Sequence, residues 1–137
     1  TDFIEACKVI STSRQGRGVL VVLSDCLETE GIKQGLSFLV GGGWDVFVIQ
    51  SLSPEEVAPL DSGLEGDLRL EDAETGEVCE ITATAPLVAA YKQRLHHYCE
   101  EIREQCTRVG AGSVRVSTDV DMEQLLVEYL RGRGLLR

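Results

Sequence analysis

Five apolar residues, Val19 to Leu23, follow one another without a break after Gly18 and stop at Ser24-Asp25. A short continuous apolar run bounded by glycine on one side and polar residues on the other suits a strand buried on both faces. An acid at the end of such a strand stands where an open parallel sheet presents its ligand-binding groups. Two more runs follow the same plan. Val46 to Ile49, opened by Trp44-Asp45, leads into Gln50-Ser51. Ser113 to Ser117, with Val114 and Val116 inside it, leads into Thr118-Asp119.

Helical segments separate these runs. Phe3, Ile4, Cys7 and Ile10 recur at near-helical spacing between Thr1 and Ser13, with Thr1 or Asp2 as the cap. Between Glu28 and Val40, Ile32, Leu36, Leu39 and Val40 share one face, and Gly41-Gly42-Gly43 ends the helix. This glycine run comes after a helix and before a strand. A phosphate-cradling loop has the opposite order, so the run is read as a turn and cap. Ser53-Pro54-Glu55-Glu56 has the form of a short helix start. Asp67 to Asp72 and Val78 to Thr82 flank Glu74-Thr75-Gly76-Glu77, which predicts a hairpin whose charged arms suit an exposed sheet edge.

The longest helix is expected over 85–109. Val88, Tyr91, Leu95, Tyr98, Cys99, Ile102, Cys106 and Val109 form its stripe, with Cys99 and Cys106 as buried thiols. His96 and His97 are neighbours, about 100° apart around a helix, and cannot share a metal. A last helix begins at Asp121, with Gln124 three residues on. Strands alternating with helices mean a parallel sheet with right-handed crossovers. The carboxyl ends of those strands gather Ser24, Asp25, Gln50, Ser51, Thr118 and Asp119 on one rim.

At 137 residues and 43% hydrophobic, the chain can bury a core as one domain. A net charge of -10 argues against non-specific nucleic-acid binding and against an anionic membrane surface as partner. Five cysteines, with no CxxC pair and no zinc-finger spacing, fit reduced thiols in the cytoplasm better than a secreted disulfide framework. No apolar run approaches the roughly 20 residues that span a bilayer.

Thr1-Asp2-Phe3, a helix, then VLVVLSD resembles the second half of a von Willebrand factor A-type domain. LSPEE, the GDLRLEDAETGEVCEIT hairpin, SVRVSTD and the closing LLVEYLRGRGLLR narrow the resemblance to the bacterial domain-of-unknown-function family fifty-eight. It covers nearly the whole chain. The resemblance implies a three-layer fold, a mainly parallel sheet with helices on both faces, carrying the hairpin at about 66–83 as an edge insertion. It also implies a non-enzymatic protein-binding role beside a MoxR-type AAA ATPase, in assembly or maturation of other complexes.

Such domains hold a metal-ion-dependent adhesion site, to which Thr1 and Asp25 correspond. The family's Asp-x-Ser-x-Ser motif is absent from these 137 residues. The chain is therefore expected to be the C-terminal part of its domain, with that motif, and any membrane association, lying upstream. Mg²⁺ takes six oxygens in near-octahedral geometry. Thr1 and Asp25 are too few, so weak or no Mg²⁺ binding is expected here, with a complete site in the full-length protein. A sheet divided in this way is also expected to self-associate through its bare edge.

Two other readings of Asp25 stay open. It can cap the helix that follows. It can also serve a small phosphoryl-transfer or hydrolase domain. Against the latter, Asp25-Cys26-Leu27-Glu28-Thr29 brings its second acid one residue late for a dehalogenase-type nucleophile motif, and the late strand has no Lys for a phosphoreceiver. Cys26 as a nucleophile has no His near it in sequence.

Overall fold

The computed structural model describes residues 3–13, 18–27, 31–59, 66–72, 75–125, 127 and 131. Thr1 lies outside the described residues, and so does most of the segment after Gln124. The chain divides into two units, Thr1–Leu52 with Cys99–Arg137, and Ser53–Tyr98.

The first unit is built on three strands, β1 (Gly18–Ser24), β2 (Trp44–Leu52) and β5 (Gly112–Ser117), in the order β1-β2-β5. Both pairings are parallel, Ser24 lying beside Gln50 and Gln50 beside Arg115. The expected parallel sheet is therefore present. Its burial differs from the reading of the apolar runs. Val46 to Gln50 of β2, the central strand, is buried throughout. Strand β1 alternates between half-buried and exposed, with Val19, Val21 and Leu23 exposed by 55%, 44% and 72%. Composition cannot separate the two strands. Position alone does not either, since the equally terminal β5 exposes only Arg115; what packs over each face decides.

Register assigns the two faces of this sheet. Val21, Phe47 and Gly112 share one, continued by Ile49, Val114 and Val116, of which Phe47, Ile49 and Val114 form a buried cluster. Gly112 is required there: a Cβ would stand 2.5 Å from the Phe47 ring. The opposite face carries Val48, Gln50, Ser113 and Arg115, which line a cavity with Cys99, Ile102 and Arg103 of α4 (Ala85–Val109).

Helices α1 (Phe3–Thr12) and α2 (Ile32–Gly41) pack together, and the Trp44 indole N–H donates to the Ile10 carbonyl at 3.3 Å. Ile32, Leu36 and Leu39 are buried from α2, and Gly42 is its C-cap, as the glycine run predicted. Of the last helix, α5 (Met122–Gln124) is described. The Gln124 N–H donates to Asp121 Oδ1 at 3.0 Å, the expected cap.

In the second unit, α3 (Pro54–Val57) opens with a complete capping box between Ser53 and Glu56. The hairpin is β3 (Gly66–Glu71) with β4 (Val78–Ala83), antiparallel, its turn completed by Gly76 at φ 73°. Among the described residues it forms a two-stranded sheet of its own and is not an edge of the parallel one. Its arms alternate charge and apolar residues, so only the Leu68–Ile81 pair gives it a half-buried contact.

Helix α4 has the predicted bounds, but its stripe is unevenly used. Cys99, Ile102 and Cys106 in the first unit are buried. In the second unit Val88 is buried, while Tyr91 is exposed. His96 and His97 are exposed on the helix surface. Among the described residues no helix is long and apolar enough to cross a membrane.

Candidate functional site

Three parallel strand ends make the rim. Asp25 is exposed immediately after β1. Leu52 and Ser117 are partners in register, and the Thr118 N–H donates to the Leu52 carbonyl at 2.9 Å, so the chain leaving β5 stays tied to the end of β2. Thr118 and Asp119 are exposed, and Ser24 and Ser51 are half-buried.

The turn after β1 is held by its own polar groups. The Cys26 N–H donates to Ser24 Oγ at 3.0 Å, and the Leu27 N–H donates to Asp25 Oδ1, also at 3.0 Å. The Asp25 carboxylate thus caps its own turn. It does not cap the next helix, because α2 begins at Ile32 after Gly31, with no side-chain cap. One carboxylate oxygen is engaged locally, and the group as a whole remains open to solvent. Asp119 is held similarly, its Oδ1 accepting from the Ser117 hydroxyl.

Gln50 is the residue whose importance the sequence understated. It is the one buried polar residue among the described residues, 4% exposed, and its amide Nε2 donates to the Asp25 carbonyl at 3.1 Å. This bond crosses from β2 to the turn after β1 and orients the backbone that carries the carboxylate. The signal available in sequence was an amide ending an otherwise apolar strand; a buried amide needs a partner, and the turn supplies one.

No family model and no solved structure matches the chain. It is similar to MAV169, an uncharacterized protein of Mycobacterium avium, with 26% identity over 132 residues, covering 96% of this chain and 76% of that protein.

The rim residues share an edge without converging on a point. Asp25 and Asp119 follow strands on opposite sides of β2, and Asp119 stands further along its chain past the shared register, so the two carboxylates are not neighbours across one strand. Among the described residues no group of three or more His, Cys, Asp or Glu side chains is arranged to hold a metal ion. Thr1, the other residue expected at the metal, lies outside the described residues. The rim offers separated carboxylates and hydroxyls, a pattern suited to several contacts across a surface.

Cys26 is not poised for attack. It is buried, and desolvation pushes its thiol up to about 11, the Ser24 hydrogen bond opposing only part of that rise. A thiol held protonated at neutral pH is a weak nucleophile. Its backbone is in the left-handed region at φ 60°, a conformation that favours glycine. Burial also raises the Cys106 thiol, against a hydrogen bond with Ser113, which agrees with the expected inert core role. All five cysteines are free, and Cys79 is the exposed one.

Proposed function

We propose that this chain is a non-enzymatic protein-interaction module, the C-terminal part of a three-layer von Willebrand factor A-type domain. In this reading it acts in the cytoplasm with a MoxR-type AAA ATPase in assembly or maturation of protein complexes. The observation that carries the proposal is the solvent-facing Asp25 at the carboxyl end of a parallel strand, on a rim shared with Ser24, Ser51, Thr118 and Asp119. Carboxylates on a rigid sheet edge suit charge-assisted contacts with basic groups of a partner. Thr1 and Asp25 would supply part of a Mg²⁺ site, the remaining oxygens coming from a motif upstream in the full-length protein.

The direct test is fluorescence anisotropy with a labelled MoxR-type ATPase. The chain is expected to bind, and Asp25→Ala and Asp119→Ala to weaken binding at least tenfold each. Equal binding by both variants would remove the rim from the proposal. A generic phosphoester assay separates the other reading: turnover that disappears in Asp25→Asn would make Asp25 a phosphoryl-transfer group instead.

A further inference from the structure

The outer edge of β1 differs from every other strand edge described. Natural sheets protect their edges with charged side chains, prolines or bulges. Strand β5, at the opposite edge of the same sheet, carries the exposed Arg115. Both hairpin strands carry charge, at Asp67, Arg69 and Glu71 and at Glu80. Strand β1 reads GVLVVLS, with no charge, no proline and an unbroken ladder to β2. Its exposed side chains are Val19, Val21 and Leu23, on the sheet face that continues into the Phe47, Ile49 and Val114 cluster.

We propose that this edge pairs with β1 of a second copy of the chain, antiparallel, about a twofold axis through Val21. The strand runs from 18 to 24, so Val21 is its midpoint, and half-buried and exposed residues alternate symmetrically about it. An axis there sets Val19 opposite the partner's Leu23, Val21 opposite the partner's Val21 and Gly18 opposite the partner's Ser24. Directly opposed residues of an antiparallel pair lie on the same face, so all three exposed side chains meet apolar counterparts.

The contact is uncharged on both sides, so the chain's net charge of -10 is not concentrated where the copies meet. The same self-complementarity favours a second copy over an unrelated strand, because one register satisfies both partners at once. The two sheets become one of six strands. This inference rests on the edge alone and not on the proposed rim function.

Analytical ultracentrifugation of the 137-residue chain, from micromolar to hundreds of micromolar, is the test. The expected result is a concentration-dependent monomer–dimer equilibrium. Val21→Lys brings two ammonium groups together on the axis and is expected to weaken the dimer about tenfold or more, with unchanged circular dichroism because Val21 is exposed.

Register is tested in a Cys79→Ser background. Opposed Cα atoms lie about 4.5–5.5 Å apart, within disulfide range. Val21→Cys should therefore cross-link under mild oxidation, while Val19→Cys should not. Two results would overturn the inference: a monomer throughout the range, or a dimer indifferent to Val21→Lys; hydrogen exchange on a monomer would then show whether all its β1 amides are protected. Such protection would mean that another segment of the chain, or another partner, occupies the edge.

Discussion

Gln50→Leu separates what the buried amide does for the fold from what it does for the rim. The wild-type bond joins a neutral amide to a neutral carbonyl at 3.1 Å. A bond of that kind contributes about 1 kcal/mol net. Leucine fills nearly the same volume and opens no large cavity, and it removes a polar group from a site only 4% exposed. Global stability should therefore change by about 1 kcal/mol or less, a melting shift of about 3 °C for a chain of this length. The local effect should be larger in relative terms. With its carbonyl released, the turn at 25–27 should open about fivefold more often, since 1 kcal/mol is a factor of about five.

Hydrogen exchange at the Cys26 and Leu27 amides reads this opening, because both are bonded within the turn. Gln50→Ala is the control. It loses the same bond and leaves a cavity, and should cost about 2 kcal/mol globally. If Gln50→Leu leaves both amides exchanging at the wild-type rate while Gln50→Ala destabilises the protein, Gln50 is only packing and the tie to the rim is wrong.

Gly112→Ala should cost about 1–3 kcal/mol in urea unfolding, because the new Cβ overlaps the buried Phe47 ring, which is held in a packed cluster. Cys26→Gly should be about 1 kcal/mol more stable than Cys26→Ala, since glycine relieves the left-handed backbone that alanine retains; an alanine variant equal or superior in thermal melts would refute the strain. The Cys26 thiol has a folded-state pKa of about 11 against an ordinary 9.0, so the folded state holds its proton more tightly. Stability from this group is complete below pH about 9 and lost as pH rises through 11, and Cys26→Ala should flatten that part of the stability–pH curve. A thiol reagent should modify Cys79 quickly in the native protein and the four buried cysteines only on unfolding, which counting modified thiols by mass would check.

Alternating periodicity and turn chemistry carried much of the architecture in the amino-acid order alone. The bounds of α4, the hairpin around Gly76, the capped start at Ser53 and the parallel sense of the three apolar runs follow from local preferences that neighbours reinforce. That the polar strand ends share one side of the sheet follows as well, because parallel strands all point their carboxyl ends the same way. Three matters were settled elsewhere in the fold. Strands β1 and β2 both read as apolar runs, yet β1 exposes every second side chain while β2 is buried from Val46 to Gln50, since burial depends on what packs over each face. Gln50 became the tie to Asp25 because pairing placed its amide beside a carbonyl 25 residues away in the chain. The long apolar stripe of α4 is buried at Val88, Cys99, Ile102 and Cys106 and exposed at Tyr91. Helical spacing defines a face, but only packing partners remove that face from water.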